Sequence, residues 1–370
     1  MKKMVGVDIG ATEVRVVEVA GVDSNSLAIV TRVGTAPMPD GAIVGGRIKN
    51  PQAVATAMVR ALKRAGLPSY GFVLNISSPD VAMTTMTLPS AVRRDEREGA
   101  IRALGRPLSA NLPLDDSVIA SQLLSSAETS DGFEVHTVAV AAALRSEVDV
   151  IRTVCKMARC TPRAIDFGGV ALIRALTRAN STSNEVATVV DVGATKTSVS
   201  TRVGPHVRSL RVTAGGGAEL TRALLSSNGG DFELAEQAKL SMKLSGITRQ
   251  VSTAYTGEDD YQADRDPAQQ SLAAGCDVLV DTIAQSIELD AANHGTYTQG
   301  VFLTGGTALL RGFKERLQQR VGVPVVVGRP WADLERSKRN VEFFADGKPD
   351  PRMLFRLSTA IGLALWKEPM

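Results

Sequence analysis

One acidic-glycine pattern occurs twice in this chain, and it limits the fold more than any other feature. Val7-Asp-Ile-Gly-Ala-Thr-Glu-Val-Arg-Val16 returns as Val190-Asp-Val-Gly-Ala-Thr-Lys-Thr-Ser-Val199. Asp8 matches Asp191, Gly10 matches Gly193, Ala11 matches Ala194 and Thr12 matches Thr195. In each copy a β-branched run leads to an aspartate, a small-residue turn follows, and a second strand restarts. That reads as a hairpin whose turn exposes backbone N–H groups and one carboxylate. Small residues let a phosphate approach the backbone, and clustered N–H groups form an anion nest. Asp8 and Asp191, at strand ends, suit a Mg²⁺ held through its water shell. Arg15 and Lys196 add positive charge toward phosphate. A single turn of this kind is ordinarily only a hairpin. Two copies imply two similar halves that grip a polyphosphate from opposite sides.

Further glycine turns fit that picture. Gly215-Gly216-Gly217 opens the helix expected at Ala218–Leu225 and offers backbone donors and a favourable dipole to phosphate; the alternative is a flexible joint. Gly305-Gly306-Thr307 lies between the expected strand Gly300–Thr304 and helix Leu309–Arg320, where a flat nucleoside can lie against backbone. Glu236 and Lys239 are three apart on a helix begun by Asp231, so they share a face. An ordinary surface ion pair is the other reading of them.

The paired hairpins and both glycine turns resemble the motifs of the actin-like ATPase superfamily. Over essentially the whole chain the resemblance is to its FtsA/PilM branch, and within that to the PilM family of type IV pilus assembly. The resemblance implies an α/β, actin-like (ribonuclease H-like) two-domain ATPase fold with an inserted ferredoxin-like βαββαβ subdomain. It implies ATP and Mg²⁺ as cofactors, with Ala235-Glu236-Gln237-Ala238-Lys239 supplying ribose and adenine contacts. Asp166, at a strand end before a helix, lies near where relatives place a water-positioning residue; a helix cap is its alternative role. The implied partner is the N-terminal cytoplasmic peptide of a PilN-like bitopic membrane protein, docked beside the inserted subdomain. Other pilus platform proteins and a homo-oligomer are further possible partners. The implied location is the cytoplasm, against the inner face of the membrane through that partner. FtsA relatives continue into a linker and an amphipathic helix; this sequence stops four residues past Trp366, which is nearer the PilM pattern. An FtsA/MreB-like filament former and a small-molecule kinase are the alternatives, although no Asn-Asp sugar signature stands out. Two departures bear on turnover. Ala11 replaces a hydroxyl residue, and Arg15 replaces a phosphate lysine. Binding with slow or no hydrolysis is the expectation.

Composition sets outer limits. At 370 residues two domains are expected, and 44% hydrophobic residues supply their cores. A net charge of +3 with scattered arginines gives no reason to expect nucleic-acid binding. Cys155, Cys160 and Cys276 lack metal or disulfide spacing, and His136, His206 and His294 stand far apart. The N-terminus does not read as a signal peptide. No apolar run approaches the roughly 20 residues that span a bilayer, so direct membrane insertion is not expected.

The domain expectation follows the motifs. Residues 1–80, 165–184 and 335–370 form the first core, and 81–164 the inserted subdomain. Residues 185–222 and 295–334 form the second core, with 223–294 its helical subdomain. Residues 34–49 read as a Gly/Pro-rich loop, and Met353–Trp366 as one apolar helix packed on the first domain. Glu13 and Lys196 differ in sign at equivalent positions, so a cross-cleft ion pair between them is a further expectation.

Overall fold

The computed structural model of the chain describes residues 3–20, 28–104, 112–177, 185–226, 229–244, 266–334, 344–345, 348–349 and 351–367. The linker expected at 180–184 and most of the acidic loop expected at 246–267 lie outside the described residues.

The first domain begins with three antiparallel strands, β1 (Lys3–Ile9), β2 (Glu13–Ala20) and β3 (Ala28–Pro37). The segment expected as loop then folds into a tight hairpin, β4 (Ile43–Val44) and β5 (Arg47–Ile48). Its turn residues Gly45 and Gly46 have φ of 55° and 78°, which a non-glycine residue rarely adopts. Helix α1 (Pro51–Ala65) follows. The Asn50 side chain caps it by accepting the Ala53 N–H at 3.0 Å, and Gly66 closes it at φ 64°. Strand β6 (Phe72–Ile76) lies parallel to β1.

The inserted segment supplies β7 (Val81–Pro89), α2 (Arg97–Leu104), β8 (Ser117–Glu128), β9 (Glu134–Leu144) and α3 (Arg145–Met157). Strand β10 (Ala164–Phe167) then returns to the first sheet beside β6, and α4 (Gly168–Leu176) follows. The expected βαββαβ order is therefore present. Its last strand serves the first domain, so β7, β9 and β8 form a three-stranded blade.

The second domain repeats the opening motif as β11 (Val186–Val192), β12 (Lys196–Val203) and β13 (His206–Ala214). After it come α5 (Gly217–Ala223), α6 (Phe232–Ser241), the long helix α7 (Pro267–His294), β14 (Gly300–Thr304), a 3₁₀ turn (Gly306–Leu309), α8 (Phe313–Val321) and β15 (Val325–Val327). Strand β16 (Ala332–Leu334) crosses back to pair with β3. Strands β17 (Phe344–Ala345) and β18 (Lys348–Pro349) form a short ribbon, and α9 (Pro351–Arg356) and α10 (Ser358–Ala364) follow it. The single C-terminal helix expected is thus two, parted at the buried Leu357.

Two large sheets result, ordered β10-β6-β1-β2-β3-β16 and β15-β14-β11-β12-β13-β7-β9-β8. The second is continuous from the second domain into the blade. Helices α10 and α4 cross closely on the first sheet. A Cβ on Gly362 would meet the Ala171 carbonyl at 1.8 Å, and one on Gly6 would meet the Ala360 carbonyl at 2.0 Å. Only glycine permits that approach.

Candidate nucleotide site

The first hairpin is held from below. Asn75 accepts the Ile9 N–H through Oδ1 at 2.7 Å and donates through Nδ2 to Asp8 Oδ1 at 2.8 Å. The sequence reading missed Asn75; its signal is one amide inside the apolar strand Phe72–Ile76. Arg15 folds back over the turn. Its Nη1 donates to Asp8 Oδ2 at 3.2 Å and its Nε to Glu13 Oε2 at 3.0 Å. A Cβ on Gly10 would lie 3.1 Å from Arg15 Nη1 and 2.9 Å from the Glu13 carbonyl, so glycine makes room for the guanidinium. Arg356 also donates to Glu13 Oε2, at 2.5 Å. Glu13 is thereby committed inside the first domain. The expected cross-cleft pair with Lys196 does not form, because two nearby arginines hold the carboxylate.

Asp191 and Lys196 of the second hairpin face the first. Burial pushes Asp191 above the usual carboxylate range; Lys196 opposes that shift, the Asp8 charge adds to it, and Arg15 opposes it. Burial likewise pushes Lys196 below its ordinary value, against the attraction of Asp191 and Asp8. Both side chains keep some accessible surface, yet protein surrounds them on most sides. The field that shifts them comes from both domains, so Asp8, Arg15, Asp191 and Lys196 form one charge cluster across the cleft. The turn glycines Gly10 and Gly193 close their hairpins by donating to the Glu13 and Lys196 carbonyls, each at 3.0 Å. The N–H groups of Ala11, Thr12, Ala194 and Thr195 find no acceptor among the described residues. The buried Thr195 hydroxyl has no partner either.

The triple glycine works differently from the expectation. Gly215 N–H donates to the Thr195 carbonyl at 3.1 Å, Gly216 N–H to Glu219 Oε2 at 2.7 Å, and Gly217 N–H to the Gly193 carbonyl at 2.8 Å. The donors meant for phosphate are engaged. A Cβ on Gly216 would stand 2.3 Å from the Gly193 carbonyl, so these glycines let α5 seat flush on the second hairpin.

On the far side of that turn, Lys239 is buried and donates to the Gly217 carbonyl (3.1 Å), Thr221 Oγ1 (2.9 Å) and Glu236 Oε2 (2.6 Å). Thr221 also donates to Glu236. Glu236 and Lys239 are thus a linked pair at the site rather than a solvated one. Thr307 joins them: a Cβ on Gly217 would lie 2.6 Å from its Oγ1. Gly305, at φ 91°, lays its backbone against Asp191 Oδ1, while a Cβ on Gly306 would meet nothing within 4 Å. Gly306 therefore borders open space, with Thr307, Glu236 and Lys239 packed behind the adjoining turn.

Asp166 is not free to position a water. One oxygen accepts the Phe167 N–H at 2.8 Å and the other accepts from Arg174, whose Nε also holds the Gly362 carbonyl at 3.1 Å. It ties the end of β10 to Arg174 of α4 and does not cap the helix, whose N-cap residue is Phe167. Among the described residues no group of three or more His, Cys, Asp or Glu could hold a metal directly. No described helix is long and apolar enough to cross a membrane.

A family model described as type IV pilus assembly protein PilM matches residues 6–256, which include both hairpins, the triple glycine and the Glu236–Lys239 pair. The chain belongs to the PilM family. Among solved structures, the PilM–PilN type IV pilus biogenesis complex matches with a TM-score of 0.74 at 22% identity, covering 98% of this chain and 97% of that one. The ethanolamine utilization protein EutJ from Carboxydothermus hydrogenoformans matches at 0.51 and 16%, covering 99% and 90%. The fold is the actin-like two-domain fold that the resemblance implied. The PilM-family segment ends before Gly305, yet the structure brings Gly305–Thr307 to the same cleft.

Proposed function

We propose that this chain is a nucleotide-loaded scaffold of the type IV pilus inner-membrane platform. Mg·ATP sits in the interdomain cleft, and the nucleotide sets the domain angle. The short cytoplasmic N-terminal segment of a PilN-like membrane protein docks beside the inserted segment and holds the chain at the membrane's inner face. The supporting observation is the cluster of Asp8, Arg15, Asp191 and Lys196, with four free turn N–H groups and the unpartnered Thr195 hydroxyl beside it. Those groups fit a Mg²⁺-bound polyphosphate. Arg15 and Lys196 would meet phosphate oxygens, and the two aspartates would orient metal-bound water. Bound Mg²⁺ would supply charge neutralisation. Lys239, Glu236, Thr307 and Gly305–Gly306 would hold the nucleoside. The partner reading draws on the family and on the PilM–PilN complex of the same fold. Asp166 is bonded to Phe167 and Arg174, which restrains it from positioning a water, so turnover is expected to be slow.

Calorimetric titration of Mg·ATP tests the site. Asp8→Ala and Asp191→Ala should each weaken binding tenfold or more, as loss of a charge-assisted contact of about 1.5–3 kcal/mol implies. Wild-type affinity in both variants would place the nucleotide elsewhere. Capture of a PilN-type peptide by the wild-type chain tests the partner.

A further inference from the structure

The inserted segment is continuous in the chain but divided in its packing. Its blade is joined edge-on to the second domain, where Ala82 and Met83 of β7 pair with Arg211 and Leu210 of β13. Its helix α3 is joined to the first domain. There Val148, Ile151 and Val154 share one buried cluster with Met58 of α1 and Phe72 of β6. The crossings between the halves lie at the blade's base. One is the peptide link from Leu144 to Arg145, where β9 gives way to α3. Another is Asp80, whose carbonyl accepts the Leu144 N–H at 3.0 Å while its carboxylate takes Arg47 in a two-pronged bond of 2.5 and 2.8 Å. Arg145 N–H also donates to the Asp116 carbonyl at 2.8 Å. From that base the nine residues of β7 extend roughly 30 Å, at about 3.3 Å per residue.

The two attachments differ in kind. A hydrogen-bonded ladder within one sheet resists displacement, because sliding breaks register. Side chains packed across a seam permit small shear. The blade's side of that seam is Val81, Met83, Val118, Ala141 and Ala143, which meet the α3 cluster by side-chain packing.

We propose that the inserted segment is two mechanical parts: the blade moves with the second domain, α3 moves with the first, and the seam between them shears when the interdomain angle changes. A peptide that touches both parts senses the nucleotide cleft and by reciprocity biases it. This regulation rests on the proposed reading that nucleotide sets the domain angle.

Distances between spin labels test it on the full chain. Ser121→Cys marks the exposed blade strand β8, Met157→Cys the exposed end of α3, and Val326→Cys the exposed strand β15 of the second domain. The native cysteines are buried and can stay. Mg·ATP should shift the 121–157 distance and leave 121–326 unchanged. A disulfide formed by Ala82→Cys with Arg211→Cys, which locks the ladder, should preserve that shift. A shift of 121–326 with 121–157 fixed overturns the proposal, as does loss of the shift in the locked chain. Calorimetry on the same variants reports ATP binding separately. If ATP binds and no pair moves, the nucleotide reading fails, and the nucleotide-free distributions still judge the mechanical claim. There 121–157 should be broader than 121–326, and the reverse order overturns it.

Discussion

Arg15 shows how one substitution recasts a phosphate turn. Its planar fork reaches Asp8 through Nη1 and Glu13 through Nε at once, which the single ammonium of a lysine would not reproduce. Its Nη2 takes part in neither bond, so the fork can hold both carboxylates and still offer Nη2 to a phosphate. Burial raises the pKa of Asp191, so the sign is that of a group whose contribution to stability is present below its ordinary 3.8 and lost as pH rises through the folded value. Ionising Asp191 in the folded chain therefore costs stability. Asp191→Asn should leave the ligand-free thermal midpoint equal or higher while Mg·ATP affinity falls at least tenfold. Paired calorimetric melts and titrations check this; a midpoint lowered by several degrees with affinity intact would mean that Asp191 is a structural anchor.

At the scale of elements, the repeat made the two hairpins legible, since each strand, turn and restart carries its own local signal. What stayed hidden depended on tertiary partners. The triple glycine looks like a phosphate cradle in sequence, but its close approach to the Gly193 carbonyl arises only once α5 meets the second hairpin. Asp166 has no local mark of Arg174, nor Glu13 of Arg356, which joins its neighbour Arg15 from the far end of the chain. Helix α7 is capped by Asp266, which accepts the Ala268 N–H, and its other anchor has no local signal. Asp290 near its end accepts from Arg208 and, at 2.5 Å, from Ser209, both on β13, and bonds His294. Burial alone would raise Asp290, but hydrogen bonds from His294, Arg208 and Ser209 outweigh it and hold the carboxyl below 3.8. The same bond lifts His294 above 6.5, against partial burial. The histidine contribution is complete below 6.5 and lost as pH rises through its folded value; the Asp290 contribution is complete above 3.8 and lost as pH falls. Urea midpoints of the wild type should thus decline as pH rises from about 6.5 into the alkaline range. His294→Gln should remove that decline, and a parallel slope in the variant would assign it to other groups.

For the whole molecule, the inserted segment decides how the partner reading can be tested. Cutting out residues 81–163 looks like the direct test, because a subdomain inserted between two repeats should lift out cleanly. The packing predicts otherwise. Val81, Ala143, Val148, Ile151, Val154 and Cys155 lie in the same buried cluster as Val54, Met58 and Phe72 of the first domain and Leu210 and Val212 of β13. Each large apolar side chain in such a core contributes about 1.5–3 kcal/mol by burial. Losing four of them removes about 6–12 kcal/mol, against a typical total stability of about 5–15 kcal/mol. The deletion also uncovers the β13 edge that β7 now pairs, leaving unpaired backbone groups open to edge-to-edge association. The shortened chain should therefore fail to melt cooperatively and should elute as aggregate, losing ATP and partner binding together. Changes confined to the exposed end of the blade avoid that damage. Leu123→Glu and Phe133→Glu alter side chains that are 41% and 70% exposed, so melting and Mg·ATP binding should stay at wild-type values and any lost peptide capture belongs to the docking surface. A deletion chain that melts cooperatively and binds Mg·ATP as the full chain does would show that the insert and the two domains do not share a core.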